Sequence, residues 1–164
     1  MPFTLDIVAQ LEYDHDVAER VDENFEYRWI KGYNSVNNLI NMKIFKYRLF
    51  EKWAKKQDIS DDDLKKAIAE IENGLCDANL GGNVYKKRIS RTGEGKRGAY
   101  RTLLLMKQND RVIFAHGFAK GEKGNITKNE LESFKIMAQT FLNLSQAQIN
   151  TLINNKNLIE ISND

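Results

Sequence analysis

The sequence predicts an α+β domain in which a small, antiparallel-rich β-sheet is flanked by helices. Between Val84 and Phe118, strand-forming Val, Ile, Tyr, Leu and Phe residues are interleaved with cations. On either side of this stretch, apolar residues recur at the three- and four-residue spacing of amphipathic helices. From Met42 onward, these patterns give the element order β-α-α-β-β-β-α-α.

A strand and two helices are expected in the first part of this order. From Lys43 to Tyr47, lysines alternate with Ile, Phe and Tyr, which indicates a strand. The next apolar residues have helical spacing: Leu49, Phe50, Trp53 and Ala54. Ser60 precedes three aspartates, so it is expected to cap a second helix whose acids face the positive helix end. Gly74 is expected to end that helix.

The middle of the chain indicates three strands: Val84–Ile89, Ala99–Lys107 and Arg111–Phe118. Residues 77–83 contain two adjacent glycines and are expected to form a turn. Ser90–Gly98 is predicted to be a glycine-rich basic loop. Residues 108–110 have the composition of a hairpin turn.

Two further helices and a short tail complete the pattern. Thr127 and Glu130 form a capping-box sequence at the start of the first helix. Its apolar stripe consists of Leu131, Phe134, Met137, Ala138, Phe141 and Leu142. Ser145 is expected to open a last helix that ends near Ile153. Residues 158–161 are expected at the periphery, where they can pair as an edge strand.

Charge is distributed unevenly along the chain. The net charge is +2 over 164 residues, but residues 1–41 carry −5 and residues 42–164 carry +7. Between Val84 and Lys123, eleven Lys and Arg residues face three acids. A sheet that displays so much positive charge is expected to bind a polyanion, with RNA as the first candidate.

Other features exclude several classes of protein. Cys76 is the single cysteine, so neither an internal disulfide nor a cysteine-based metal cluster is expected. No apolar run has the length of a membrane span, and the N-terminus lacks a secretory signal, so the cytoplasm is the expected location. The nucleotide-binding loop pattern is also missing, and no cofactor or metal is expected.

Three segments resemble the RelE-type toxins of bacterial type II toxin–antitoxin systems, in the RelE/ParE superfamily. The resemblance covers about residues 42–161 and is strongest in the Phe-Ala-Lys-x-Glu-x-x-Asn-Ile signature. The segments are Gly81–Arg88, Gly95–Thr102 and Gly117–Ile126. The resemblance implies a compact sheet flanked by helices, and an activity, the cleavage of messenger RNA at the ribosome, which arrests translation. It also implies a cognate antitoxin, of which a helix-turn-helix DNA-binding protein is one possible form.

The expected division of the chain into two parts follows from the extent of this resemblance. Residues 42–164 are expected to form the toxin domain, and residues 1–41 an acidic N-terminal extension outside the family pattern. Met42 stands where family members usually begin, so one interpretation is a start codon assigned too far upstream. The alternatives are an acidic segment that covers the basic face like an antitoxin, and an added helix without such a role.

RNA cleavage without a metal requires a base, an aligned phosphate, stabilisation of the phosphorane and a proton donor. Residues 42–164 contain one histidine, His116, so Lys, Arg, Tyr and Glu are expected to supply these functions, as they are thought to do in RelE-type toxins. His116 is expected to face the same side of the sheet as Phe114 and Phe118, as a core or rim residue.

Arg101 is the first candidate for phosphate binding, since a guanidinium can grip a phosphate at two points. Lys86 and Arg88 share one face of their strand, while Lys87 faces the other way. A lysine among other cations can act as a base, so Lys86 or Arg88 is expected to activate the 2′-hydroxyl or clamp the backbone.

The resemblance adds a second group of candidates. Because RelE-type toxins often place an active-site residue near the end of the last strand, Lys120 is expected to donate a proton and Glu122 to orient it. Residues expected to contact RNA are Lys87, Arg91, Lys96, Arg97, Tyr100 and Phe118. For the two aromatic residues, packing within the sheet is the alternative to stacking on bases.

Two other functions remain open at this point. ParE-type toxins share the fold and inhibit DNA gyrase by binding it, without catalysis. A domain that binds RNA but does not cleave it is the second alternative. The basic sheet favours the nuclease, because a gyrase inhibitor needs no cationic phosphate site.

Overall fold

The computed structural model describes residues 42–91, 95–119 and 126–162. These residues form six strands and four helices, which confirms the α+β prediction. In chain order they are β1 (Lys43–Tyr47), α1 (Arg48–Lys56), α2 (Asp61–Glu72), β2 (Ala78–Asn79), β3 (Val84–Arg91), β4 (Gly95–Lys107), β5 (Arg111–Ala119), α3 (Lys128–Phe141), α4 (Gln146–Asn154) and β6 (Leu158–Ile161). The predicted extension 1–41 lies outside the described residues.

All six strands belong to one sheet, in the order β2-β3-β4-β5-β1-β6. β1 runs parallel to β5, and every other neighbouring pair is antiparallel. β6 pairs with β1, so the expected edge strand at 158–161 is present. The two-residue strand β2 was not predicted. It forms where the chain between α2 and β3 turns back along β3.

Helices α1 and α2 cover one side of the sheet, here called the α1 face. Phe50, Leu64 and Ile68 are fully buried there against Leu104 and Phe114. Ser60 and Asp63 form a reciprocal capping box at the start of α2, so the predicted cap is correct. Burial of this apolar stripe holds both helices on the sheet.

Helices α3 and α4 cover the opposite side, here called the α3 face. Val84, Leu105 and Ile113 are buried there against Ala138 and Ile149. The capping box predicted from Thr127 and Glu130 is formed, and Ser145 opens α4 as expected, with a capping box to Gln148. None of the described helices is long and apolar enough to cross a membrane.

The β3–β4 hairpin is longer than the sequence pattern indicated. β3 continues to Arg91 and β4 begins at Gly95, so the predicted loop over Ser90–Gly98 was wrong at both of its ends. The two strands remain paired beyond Ile89 through a register shift. Pairing of backbone groups across the hairpin therefore overrides the weak strand propensity of the glycines.

A β-bulge in β5 changes which side chains share a face. Leu103 pairs with His116, whereas the next residue of β4, Leu104, pairs with Phe114, which leaves Ala115 as the extra residue. Phe114 consequently packs on the α1 face, while His116 lies on the α3 face. The expectation that His116 and Phe114 share a side was therefore wrong.

Candidate functional site

Cations from two neighbouring strands meet on the α3 face of the sheet. Arg88 of β3 is the cross-strand neighbour of Arg101 in β4, which in turn pairs with Phe118 of β5. Lys86 pairs with Leu103, whose other neighbour is His116. Strand alternation puts these side chains on one side of the sheet. This group is called the basic face, and its members are Lys86, Arg88, Arg101 and His116.

Arg101 lies between the other members of the basic face. Its side chain is half-buried, and no described acid lies within ion-pair distance of it. Like charges on directly opposite residues are unfavourable, so the pair Arg88–Arg101 is not explained by sheet stability. An anion bound between the two guanidinium groups would relieve the repulsion.

Arg88 is oriented by a carboxylate at the start of β2. Its backbone N–H donates to Asp77 Oδ2 at 2.6 Å, and its Nε donates to Asp77 Oδ1 at 3.0 Å. Partial burial raises the pKa of Asp77, but the two hydrogen bonds from Arg88 outweigh it and hold that pKa below its usual value. The Arg88 side chain remains 57% exposed, so its remaining donors are accessible. Sequence reasoning missed Asp77, because a contact across eleven residues leaves no local signal.

Lys86 is the second cation of this face without an acidic partner among the described residues. It is half-buried and lies two residues from Arg88 on the same strand. The Sγ of Cys76 contacts the backbone oxygen of Lys86 at 3.6 Å, which helps to hold this part of β3. No acid of the described part of the chain neutralises the side chain of Lys86, so it adds to the positive charge of the basic face.

Lys87 has a different environment, although it stands between Lys86 and Arg88. It points to the α1 face, where its Nζ lies 2.7 Å from Glu70 Oε2 and donates to the backbone oxygen of Leu75 at 2.9 Å. The residue is 6% exposed. This placement fits a structural ion pair between β3 and α2, and does not support the RNA contact expected from the sequence.

The two aromatic residues proposed to stack on bases are both buried. Tyr100 is 3% exposed and its ring meets that of Trp53 edge-on, with 5.3 Å between the ring centroids. Phe118 is 4% exposed and lies 5.8 Å from His116, ring to ring. Both rings therefore pack within the protein, which was the alternative to stacking on bases. Neither ring is presented for base stacking.

His116 lies at the rim of the core, as expected, but beside the cations of the basic face. Its ring lies between those of Phe118 and Phe134, 5.5 Å from the latter, and it is half-buried. The bulge at Ala115 directs it toward the basic face. A bulge leaves no signal in the pattern of this strand, so the alternation rule placed Phe118 correctly on the side of His116 and Phe114 wrongly.

The remaining candidates lie at or beyond the limits of the described residues. Lys120 and Glu122 are outside them. β5 ends at Ala119, which pairs with Tyr100, the chain neighbour of Arg101. The backbones of Arg91, Lys96 and Arg97 lie on strands β3 and β4, not in the loop that was expected.

An aromatic support lies directly behind the basic face. On the α1 face, the Trp53 ring is so close to the backbone of β5 that a Cβ added to Gly117 would lie 2.1 Å from its Cζ3 atom. Gly117 pairs with Thr102, and its chain neighbours His116 and Phe118 point to the other side. Trp53 therefore supports the segment of sheet that carries the basic face.

The site offers cationic and neutral donors, and no metal-ligand set was found. Among the described residues, no group of three or more His, Cys, Asp and Glu side chains could hold a metal ion. Two arginines and a lysine on a rigid sheet can bind a phosphate at several points and stabilise added negative charge on it.

Comparison with known protein families gives one result over most of the chain. The family model described as "RelE toxin of RelE / RelB toxin-antitoxin system" matches residues 42–161. A search of curated proteins gives no match. The matched residues contain all ten helices and strands described above.

Proposed function

Since the chain belongs to the RelE toxin family of RelE/RelB toxin–antitoxin systems, we propose that it is an endoribonuclease that cleaves messenger RNA at the ribosome and arrests translation. Membership of this family implies an antitoxin as partner. The toxin domain in this proposal is residues 42–164, and it acts in the cytoplasm, where ribosomes are found.

The observation that carries the proposal is the pair of directly opposed arginines, Arg88 and Arg101, with Lys86 beside them. Repulsion between these groups disfavours the empty site and favours a bound phosphate. Among the described residues, neither Lys86 nor Arg101 has an acidic partner, whereas Arg88 is paired with Asp77, so the positive charge of these three side chains is only partly compensated.

Five residues have roles in the proposed reaction: Lys86, Arg88, Arg101, Lys120 and Glu122. Lys86, as the neutral amine, takes the proton of the 2′-hydroxyl and becomes an ammonium, while the 2′-oxygen attacks the adjacent phosphorus. Arg101 and Arg88 bind the non-bridging oxygens and stabilise the charge that develops on the pentavalent phosphorus. The bond to the 5′-oxygen then breaks, and that oxygen takes a proton from Lys120, which Glu122 orients. The products are a 2′,3′-cyclic phosphate and a 5′-hydroxyl end.

Removal of the Arg101 guanidinium tests the proposal. Arg101→Ala should lower the rate of message cleavage by about 10² to 10³-fold, the usual loss for one oxyanion-stabilising donor, and should abolish growth arrest on expression. Lys107→Ala is the matched control, because it removes one positive charge from the same strand, at the end remote from the basic face. It should leave both activities intact.

Other outcomes would contradict the nuclease. Growth arrest by a folded Arg101→Ala variant would show that toxicity does not depend on this site. Induction of the DNA-damage response without loss of translation would favour a gyrase-binding toxin. Message that is bound but left intact by the unaltered protein would favour an RNA-binding module.

A further inference from the structure

Helix α1 carries a second group of cations, on the side of the helix that faces away from the sheet. Phe50 and Ala54 of this helix are buried in the core, and Trp53 packs on β5. The side chains on the opposite side of the helix are exposed, and this surface is called the α1 stripe. Its members are Arg48, Lys52, Lys55 and Lys56.

The α1 stripe is almost uncompensated by acids. Among the described residues, none lies within ion-pair distance of Arg48, Lys52 or Lys56, and Lys55 is paired only with Glu51, at 3.0 Å. Glu51 is itself turned inward, toward the buried ammonium of Lys46 at 2.6 Å. The single acid of the helix is therefore shared with an internal ion pair, and the outer surface stays cationic.

The stripe lies on the reverse of the sheet from the basic face and extends toward the same end. α1 follows the direction of β5, because Phe50 stacks on Phe114, with 5.2 Å between the ring centroids, and Trp53 covers Gly117. The last turn of the helix therefore points to the end of β5 that lies beside Arg101. The sheet stands between the two groups of cations, so one short RNA strand cannot follow both.

We propose that the α1 stripe binds the phosphate backbone of folded ribosomal RNA, while the message occupies the basic face. The proposal rests on the nuclease function above and adds a docking surface to it. The four cations span roughly 12 Å of helix, at about 1.5 Å per residue. They offer positive charge without groups that could distinguish bases. Such a surface suits a phosphate backbone, whose contacts carry no sequence information.

Two other partners fit this surface less well. A protein interface such as that of an antitoxin has an apolar centre, and Leu49 is the one apolar side chain exposed on this helix. A helix that binds membranes inserts its apolar face into lipid, whereas the apolar face of α1 is buried against the sheet.

Charge reversal on the stripe tests the proposal in the full chain. Lys52→Glu/Lys56→Glu is compared with the control Lys66→Glu/Lys128→Glu, which makes the same change in net charge at two exposed lysines of α2 and α3. Binding is measured to purified ribosomes over a range of salt concentrations, and to a short single-stranded RNA. Thermal unfolding checks the fold, and Lys52→Gln/Lys56→Gln replaces the first variant if it fails to fold.

The stripe variant should bind ribosomes at least about tenfold more weakly, and the slope of log affinity against log salt should fall by roughly 1.4 to 1.8 for two lost phosphate contacts. Its affinity for the short RNA should match that of the control. Unchanged ribosome binding, an equal loss in the control, or a loss confined to antitoxin binding would overturn the proposal. A wild-type protein that binds ribosomes through the stripe but cleaves no message would instead refute the nuclease.

Discussion

Lys86, Lys87 and Arg88 are consecutive in β3, yet their charged groups lie in three different environments. Lys87 is buried against Glu70. Arg88 is paired with Asp77 through its Nε, and its other guanidinium N–H groups remain available. Lys86 has no acidic partner among the described residues. A basic segment in a sequence therefore overstates the cations available to RNA. Burial and pairing decide which of them can bind a phosphate.

Substitution of Lys87 should affect stability and leave RNA binding intact. Lys87→Met keeps the apolar stem but leaves the backbone oxygen of Leu75 without its donor and Glu70 without its partner. We expect the free energy of unfolding to fall by about 1 to 3 kcal/mol. Denaturant unfolding measures this loss, and RNA affinity measured below the transition should equal that of the wild type. A tenfold loss of RNA affinity in a folded Lys87→Met protein would restore the RNA contact predicted from the sequence.

The carboxylate that orients Arg88 should give stability a dependence on pH. Because the pKa of Asp77 is lower in the folded state, the ion pair stabilises the fold above the unfolded pKa of about 3.9, and this contribution is lost as pH falls through the folded value. Asp77→Asn should therefore weaken the fall in unfolding free energy on acidification. Identical profiles for Asp77→Asn and the wild type would contradict the ion pair.

At the scale of the elements, α1 and β5 are in closer contact than their side-chain types suggest. The Trp53 ring occupies the space that a side chain at position 117 would need, so glycine is required there for reasons of space. The same helix presents its cations outward and its aromatic side chains inward. Helix α1 thus supports the sheet under the basic face with its inner side. In our proposal, its outer side contacts folded RNA.

Introducing a methyl group at position 117 should displace the Trp53 ring. We expect Gly117→Ala to lower the free energy of unfolding by about 1 to 3 kcal/mol, the usual effect of overpacking. The loss should be much smaller when Trp53→Leu has already made room, which a double-mutant cycle on thermal or denaturant unfolding measures. Additive effects of the two substitutions would show that the ring does not pack on this glycine.

Over the whole molecule, local signals predicted more than long-range ones. The helix starts at Ser60, Thr127 and Ser145 were correct because a capping box involves residues three apart. The strand alternation that put Lys86 and Arg88 on one face and Lys87 on the other was also correct. The bulge at Ala115 and the extended β3–β4 hairpin depend on pairing between strands, and a single-strand pattern does not contain that information.

The same limit applies to the candidate site. The sequence pattern predicted Lys86, Arg88 and Arg101 as candidates, and the three lie together on the basic face, but it did not predict that His116 joins them. It did not identify Asp77 or the burial of Lys87, since both depend on contacts between elements that are far apart in the chain. Charge composition thus predicted where cations are concentrated better than it predicted their individual contacts.

In the proposed mechanism, the 2′-hydroxyl of the message attacks a phosphorus bound at the basic face. Cleavage of a defined message on purified ribosomes tests this step most directly. Two messages are compared, one unmodified and one with a single 2′-deoxynucleotide at the cut position. The wild-type protein should leave 2′,3′-cyclic phosphate and 5′-hydroxyl ends on the first and should not cut the second at that position. Cleavage of the deoxy-substituted message at the same bond, or ends with a 3′-hydroxyl and a 5′-phosphate, would contradict the mechanism.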